Sequence, residues 1–265
     1  MNDTTHSTTG PRFLIAGYGT EGALAINFFA HTEPLLSEQR NNHTTCLTLG
    51  ETSNTKVQPE QLDGIDMVFI LGSDDDSSAP PSALKLATLC NEKNIQCFTM
   101  LSFSDPAGAM DVATKSLCEL SNNVLLLPFS RPVDNLVSCN MLKAAAATII
   151  DPLVTQGLVG VDLQDMQHLL SLGKQTCFSL SLAQGEGRAM EATKNTISRL
   201  PVFREAVAII GNITCEPDFG LEEYNKITDG IHTAADSNCI VAMVTTPHIA
   251  NKDEILLTLM CVMHD

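Results

Sequence analysis

A glycine-rich turn near the start of the chain is the first segment whose residue types could do chemistry. Residues Gly17 to Gly22 read G-Y-G-T-E-G, which satisfies the G-x-G-x-x-G pattern of dinucleotide-binding turns. The three glycines, Gly17, Gly19 and Gly22, would let the backbone approach phosphate oxygens, and the helix that follows would supply N–H donors. A tight strand-to-helix turn without a ligand uses the same residues. The motif alone therefore predicts a phosphate site and a ligand-free turn about equally.

A Rossmann-type cofactor site would also need an acidic residue after the second strand, where it binds the ribose hydroxyls. Glu51 follows the stretch T-L-G and is the candidate, although its distance from the glycines is long for this role. A dinucleotide-dependent enzyme of the Rossmann type is therefore one function that the sequence allows.

Three consecutive carboxylates follow another apolar run. Gly72 ends an apolar run, and Asp74 to Asp76 come soon after it in the stretch G-S-D-D-D-S-S-A-P. Like charges within about 4–6 Å of each other cost several kcal/mol in a partly desolvated site, so this turn is expected to reject an unassisted phosphate. A metal ion that bridges the aspartates and a phosphate would reverse this expectation. A solvated acidic turn before the next helix is the simpler interpretation.

The elements that must position these turns alternate between short apolar runs and helical stretches, which predicts a parallel sheet covered on both faces. Strands are predicted at Phe13 to Ala16, Thr45 to Leu49, Met67 to Leu71, Gln96 to Leu101 and Val124 to Leu127. Helices are predicted from Glu21 to His31, after Pro80, and from about Pro132 to Leu153. The first half of the chain is therefore α/β, and its last helix joins it to the second half.

The second half has a different rhythm, which predicts a smaller α+β unit. Its predicted strands are Cys177 to Ala183, Val207 to Ile213, Cys239 to Thr246 and Ile255 to Val262. Its predicted helices lie around residues 163–170, 189–197 and 221–235. We expect residues 1–131 to form a Rossmann-like domain, residues 132–155 a central helix, and residues 156–265 a C-terminal α+β domain.

The charge and composition of the chain exclude several classes of partner and site. A formal net charge of −16 and an isoelectric point near 4.6 disfavour binding to nucleic acid and to anionic membrane surfaces. The absence of tryptophan and the presence of only two tyrosines remove the usual stacking platforms for bases. Nine cysteines are scattered without a C-x-x-C pair, so we expect reduced thiols in the core and no metal site.

The location of the protein is predicted from apolar runs and from the first residues. No apolar run approaches the roughly 20 residues that a membrane span requires. Residues Met1 to Arg12 lack the charged start and apolar stretch of a secretory signal. We therefore expect a soluble cytoplasmic protein without a transmembrane segment.

Five segments resemble the FtsZ/tubulin family, and the three from residue 157 onward occur in the same order and at similar spacing. Residues 157–166, G-L-V-G-V-D-L-Q-D-M, resemble the FtsZ synergy loop, whose usual form is G-L-[IM]-N-[LV]-D-F-A-D-[VI]. Residues 185–192, G-E-G-R-A-M-E-A, resemble the family's G-E-[DN]-R-A-x-x-A, and residues 210–214, I-G-N-I-T, its L-V-N-I-T. Residues 13–25 and 64–70 resemble its first glycine loop and its G-A-D-M-V-F-[IV] strand. The resemblance implies an FtsZ/tubulin-like fold: a parallel-sheet nucleotide-type domain, a central helix and a smaller α+β domain.

The departures from the family pattern lie in the loops that hold GTP in the family. The family's G-G-G-T-G-[ST]-G signature is replaced by the segment around Gly72 with its three aspartates. In the first loop Thr20 and Glu21 replace glycines, and Leu24 stands where the family keeps Asn. The resemblance therefore makes Gly17, Gly19, Gly22 and Gly72 remnants of the phosphate loops.

Two further regions of the family site are altered. The chain between Phe29 and Asp66 is shorter than in family members, and this removes elements that close over the nucleotide. The guanine-holding positions of the central helix align with Asn135 and Cys139, next to Asn140, and no aromatic stacking partner is present.

Two aspartates are kept. Asp162 and Asp165 match the synergy-loop carboxylates that act on the nucleotide of a neighbouring subunit in the family, and Gly160 replaces the accompanying Asn. Carboxylates there position a water and its cation, and they also suit a helix N-terminus for dipole reasons alone. Glu186 and Arg188 are interpreted as a turn and helix-start framework.

Three functional hypotheses follow. The first is an FtsZ-like pseudo-GTPase without a cofactor, which acts through contacts with a full-length FtsZ or with itself in a cytoskeletal or cell-division process. It could cap or modulate FtsZ polymers. The second is a filament-forming FtsZ homologue that binds and hydrolyses GTP and carries GTP or GDP. The third is the Rossmann-type dinucleotide-dependent enzyme.

Overall fold

The computed structural model describes residues 10–31, 40, 42–50, 57–73, 79–103, 110–128, 135–216, 219–247 and 253–264. Nine strands in this part of the chain form one sheet. They are β1 (Phe13–Tyr18), β2 (Thr44–Leu49), β3 (Met67–Ser73), β4 (Gln96–Phe103), β5 (Asn123–Pro128), β6 (Gln175–Gln184), β7 (Ala206–Cys215), β8 (Ile240–Pro247) and β9 (Glu254–Met263). Their spatial order is β2-β1-β3-β4-β5-β6-β9-β7-β8.

The sheet is parallel in the first half of the chain and mixed in the second. Strands β1 to β5 pair in parallel, so their carboxyl ends meet at one edge of the sheet. β6 joins β5 through two residue pairs, Val124 with Gln175 and Leu125 with Thr176. β9 then lies antiparallel between β6 and β7, and β8 is parallel to β7. The predicted α/β architecture is confirmed, and the division at residues 131 and 155 stays a prediction.

Seven α-helices are described with the sheet. They are α1 (Gly19–His31), α2 (Pro81–Lys93), α3 (Val112–Leu120), α4 (Asn135–Val154), α5 (Leu163–Ser171), α6 (Arg188–Ser198) and α7 (Leu221–Ala234). Proline at the first position of α2 costs no hydrogen bond, as the sequence predicts. The apolar spacing does not specify α3. Asp111 starts that helix, because its carboxylate accepts hydrogen bonds from the backbone N–H groups of Ala113 and Thr114.

Three hydrophobic clusters hold the helices against the sheet. The largest lies under α1 and α4 and includes the ring pairs of Phe69 with Phe13 and Phe98, at 6.2 and 6.1 Å between centroids. It also takes in Ile210 and Met260 from the second half of the chain. The second cluster lies under α2 and α3, and the third under α6 and α7. Helix α4 therefore packs on strands of both halves.

The central helix also tests the expectation that no run is long enough to span a membrane. Residues Leu136–Val154 form 19 helical residues with a mean hydropathy of 1.3, which by length and composition alone would suffice. That expectation is therefore wrong for α4. However, 56% of the stretch is buried, and Cys139, Leu142 and Ile149 are fully enclosed in the core. These residues make α4 a core helix of the fold.

The cysteines do not all lie in the core. Cys90, Cys97, Cys139, Cys215 and Cys261 are buried, as expected. Cys46 on β2 is exposed, because that strand lies at the edge of the sheet.

Candidate functional site

The first glycine turn lies where the motif predicts it, between β1 and α1. Gly19 opens the helix with a φ of 66°, a conformation that glycine adopts without strain. A Cβ on Gly17 would overlap the carbonyl oxygen of Gly22, and a Cβ on Gly22 would overlap the carbonyl oxygen of Leu71. These two glycines therefore allow α1 to pack closely on β1 and β3. The phosphate-binding role predicted for them stays a prediction.

Gly72 also lies against a protein group. It is near the end of β3, and a Cβ there would overlap the ring of Tyr18, which is 1% exposed. Tyr18 is the last residue of β1, so the two strands are in contact at their carboxyl ends through this ring. The acidic segment Asp74 to Asp76 lies outside the described residues.

Glu21 is buried at the same edge of the sheet. It lies in the first turn of α1 and is only 4% exposed. Its carboxylate accepts a hydrogen bond from the hydroxyl of Ser102, close to the end of β4. By contrast Thr20 is exposed, and Leu24 packs partly buried against the core cluster of α1 and α4. Glu21, which stands where the family has a glycine, thus turns inward and links α1 to β4.

Asp162 and Asp165 lie at the start of α5. Asp162 is the N-cap residue, and one of its carboxylate oxygens accepts a hydrogen bond from the backbone N–H of Asp165 at 2.8 Å. Both side chains are exposed. Asp162 therefore caps the N-terminus of α5. Because both residues are exposed, a neighbouring molecule could reach their carboxylates.

The loop before α5 is attached to the edge strand β8. The backbone N–H of Thr245 donates to the carbonyl of Val159 at 2.9 Å, and the Val159 N–H donates to the Thr245 hydroxyl at 3.1 Å. A Cβ on Gly157 would overlap the Thr245 carbonyl, whereas one on Gly160 would meet nothing within 4 Å. The loop is thus anchored at its first glycine, while the position where the family keeps Asn is open.

A cavity of about 310 Å³ has Asp165 in its lining. Its apolar part includes Val161, Leu169 and Ile240, the last of which is 46% exposed. Asp165 and His168 add its polar side. This face of the molecule therefore combines exposed carboxylates with a small apolar recess.

Arg188 forms the framework that the sequence predicts for the start of α6. Its guanidinium donates two hydrogen bonds to Glu223 of α7, both at 2.8 Å, and Glu216 lies 3.4 Å away. Hydrogen bonding to Arg188 lowers the pKa of Glu223 below its usual value. Glu186 is exposed in the preceding turn. These residues join two helices of the second half.

The central helix carries one ion pair that the sequence patterns do not reveal. Arg40 donates to Asp151 of α4 from Nε at 2.6 Å and from Nη2 at 2.5 Å, and both side chains are buried. The Arg40 guanidinium carbon also lies 4.6 Å from the ring centroid of Phe29. A cavity of about 150 Å³ adjoins the pair and includes Asn140 in its lining. Cys139, aligned with a guanine-holding position, faces the core instead.

Comparison with known proteins finds FtsZ proteins among the relatives of this chain. No protein-family model matches the chain. The cell division protein FtsZ of Buchnera aphidicola subsp. Schizaphis graminum is 26% identical over 223 residues, which is 75% of this chain and 58% of that protein. FtsZ of Coxiella burnetii is 24% identical over 220 residues, which is 75% of this chain and 57% of that protein. The chain spans little more than half the length of these relatives.

Solved structures agree on the fold. An empty FtsZ dimer from M. jannaschii superimposes with a TM-score of 0.80 at 13% identity, covering 96% of this chain and 89% of that one. CetZ2 from Haloferax volcanii, solved as a GTPgS-bound protofilament, gives a TM-score of 0.64 at 13% identity, covering 96% and 93%. The predicted FtsZ/tubulin-like fold is thus confirmed.

Proposed function

We propose that this chain, a divergent FtsZ/tubulin-like protein, is a pseudo-GTPase that acts through protein contacts on FtsZ-type filaments in the cytoplasm. The observation that carries the proposal is the buried carboxylate of Glu21 in the first turn of α1. A phosphate at that turn would meet an anion in a partly desolvated cleft, where like charges repel strongly. The three aspartates from Asp74 to Asp76 add negative charge to the same family loop region. GTP and GDP are therefore not its cofactors.

The two exposed aspartates at the start of α5 support a role in contacts with other proteins. Asp162 and Asp165 are kept, exposed, at the positions where the family presents carboxylates to a neighbouring subunit. A subunit of this kind could dock this face on the nucleotide-bearing face of a complete FtsZ and offer no competent face to the next subunit. It would cap filaments, or modulate their growth, in a cytoskeletal or cell-division process. Self-association through the same face is the related possibility.

The test is polymerisation of a complete FtsZ from the same cell, with and without this protein. Capping at free ends predicts that substoichiometric amounts shorten filaments and that the effect saturates as ends are filled. The variant Asp162→Asn plus Asp165→Asn should lose the effect, because it removes two exposed charges while Asn still caps the helix. Glu60→Gln plus Glu92→Gln makes the same charge change on other exposed residues and should act like the wild type.

Two results would refute capping through this face. One is unchanged polymer mass, filament length and GTPase rate at equimolar addition of the wild-type protein. The other is a double aspartate variant that acts as strongly as the wild type, which would leave Asp162 with its helix-capping role alone.

A filament-forming GTPase is the second candidate, and the two retained aspartates favour it. It predicts tight GTP binding and nucleotide-dependent pelleting of the protein alone. The pseudo-GTPase predicts neither. The domain division at residues 131 and 155 is part of the same proposal, with the nucleotide-type domain before α4 and the contact face after it.

A further inference from the structure

The carboxyl ends of β1, β3 and β4 form one edge of the sheet, and Glu21 reaches across it. The three strands are parallel and adjacent in this order. Glu21 comes from the helix that follows β1, and its hydrogen-bond donor, Ser102, belongs to β4. The side chain therefore links the helix that follows β1 to β4, and β3 lies between these two strands. In open parallel sheets this crevice, outside the carboxyl ends of the strands, is where ligands bind.

The position of Glu21 is fixed by the backbone beside it. The next residue, Gly22, lies so close to the carbonyl of Leu71 that no Cβ could be accommodated. Gly17 is equally close to Gly22. The first turn of α1 therefore cannot rotate to carry Glu21 outward without losing the contact with β3. A mobile surface glutamate would not be held in this way.

The charge of Glu21 suits this position. The N-terminal turn of a helix carries a partial positive charge, which stabilises a carboxylate as it would stabilise a phosphate. The Ser102 hydroxyl adds a charge-assisted hydrogen bond. Both side chains are 4% exposed, so water screens the carboxylate weakly. The Glu21 carboxylate thus already occupies the positive N-terminal end of α1, which a phosphate would need.

We infer that Glu21 is the resident anion of this crevice and the residue that determines its specificity against phosphate groups. Its carboxylate occupies the helix end through the Ser102 hydrogen bond, so the crevice is closed to nucleotide phosphates by the chain itself. The inference rests on the proposed function and names the side chain responsible for the loss of nucleotide binding.

Three variants test the inference. Glu21→Gln removes the charge and keeps the shape, and Glu21→Gly removes both. Thr20→Gly is the matched control, since it introduces glycine at the neighbouring exposed position and keeps the Glu21 charge. The probe is inorganic pyrophosphate, compared with sodium chloride at the same high ionic strength, which screens repulsion from other surface carboxylates. The readout is the midpoint of thermal unfolding, which rises when a ligand binds the folded state.

Pyrophosphate is excluded from protein surfaces and raises the unfolding midpoint of any folded protein relative to chloride, so the gain is counted beyond that of the wild type. This gain should be about 3 °C for Glu21→Gly, smaller for Glu21→Gln and absent for Thr20→Gly. If Glu21→Gly does not fold, the effect of pyrophosphate on the unfolding midpoint of Glu21→Gln alone tests the inference. No gain in either Glu21 variant, or an equal gain in Thr20→Gly, would overturn the inference.

A parallel titration of the wild type with GDP separates this inference from the proposed function. Wild-type GDP binding would refute the pseudo-GTPase, and with it the blocking role of Glu21. A wild type that ignores GDP, together with Glu21 variants that ignore pyrophosphate, would leave the pseudo-GTPase standing and remove only the role of Glu21.

Discussion

The residues of the first glycine turn have a packing role that needs no nucleotide. Gly17 and Gly22 allow contacts between backbones, and these contacts place α1 on β1 and β3. The G-x-G-x-x-G pattern predicted the turn correctly because one of its glycines always serves helix–strand packing. The same pattern could not tell whether a ligand is bound, because packing and phosphate approach both require the absence of a Cβ.

A glycine substitution tests this packing role. Gly22→Ala should lower the free energy of unfolding by about 2 kcal/mol, because the new methyl group must displace the Leu71 carbonyl. Gly160→Ala is the control, since a Cβ there meets nothing within 4 Å. Urea denaturation measures both. Equal stability of the two variants would show that the contact of α1 with β3 does not require glycine.

The pair of Arg188 and Glu223 predicts a pH dependence. Because its pKa is lowered in the folded state, Glu223 contributes stability that is fully present above its unfolded pKa and is lost as pH falls through the folded value. Glu223→Gln should cost about 1 kcal/mol near neutral pH, a small figure because the pair is partly exposed. The difference from wild type should shrink below about pH 4.

The control for this pair is the neighbouring glutamate. Glu222 pairs with Lys226 on the exposed face of α7, so Glu222→Gln should change stability less than Glu223→Gln at neutral pH. Urea denaturation at several pH values gives the free energy of unfolding of both variants and of the wild type. A Glu223→Gln deficit that stays constant down to pH 3 would contradict the ionic origin of the contact.

At the scale of elements, α4 is attached to the segment between α1 and β2 by the buried pair of Arg40 and Asp151. Breaking a buried ion pair leaves an uncompensated charge and costs about 3–5 kcal/mol, whereas replacing both partners by apolar residues is often neutral. We therefore expect Asp151→Leu alone to destabilise strongly, and Arg40→Met plus Asp151→Leu to recover most of the loss. Chemical denaturation of the wild type, both single variants and the double variant measures the coupling. If the loss of stability in the double variant equals the sum of the losses in the two single variants, the two residues are not coupled and the prediction is wrong.

The sequence predicted the elements better than the contacts between them. The strands and long helices follow from apolar runs, prolines and caps, which are local signals. Helix α3 was missed because its nine residues carry a short apolar pattern, with Thr114 and Leu117 as its buried positions. The pairs of Arg40 with Asp151 and of Glu21 with Ser102 lie 111 and 81 residues apart in the chain. Periodicity does not report contacts at such separations.

At the scale of the whole molecule, two regions of the fold have different chemistry. The edge formed by the carboxyl ends of β1, β3 and β4 contains the buried Glu21, and the start of α5 presents Asp162 and Asp165 to solvent. The resemblance of segments to the FtsZ/tubulin family singled out both regions in the sequence, one as altered loops and the other as retained aspartates, and their roles stay predictions. The inward direction of Glu21 could be learned only from the packing of α1.

The asymmetry predicts how the protein behaves alone. If the protein is a pseudo-GTPase, as proposed, addition of GTP and magnesium should not produce filaments, because family polymers place a nucleotide between subunits and the proposal leaves this joint without one. Sedimentation and light scattering of the protein at micromolar concentration measure filament formation. Nucleotide-independent oligomers are compatible with the account, whereas GTP-dependent pelleting contradicts it.

Calorimetric titration of the wild-type protein with GTP and with GDP, in the presence of magnesium, tests the central claim most directly. The account predicts no saturable heat for either nucleotide, because the carboxylate of Glu21 occupies the helix end that a phosphate would need. A dissociation constant in the low micromolar range or below, for either nucleotide, would contradict it and establish a nucleotide-binding member of this fold.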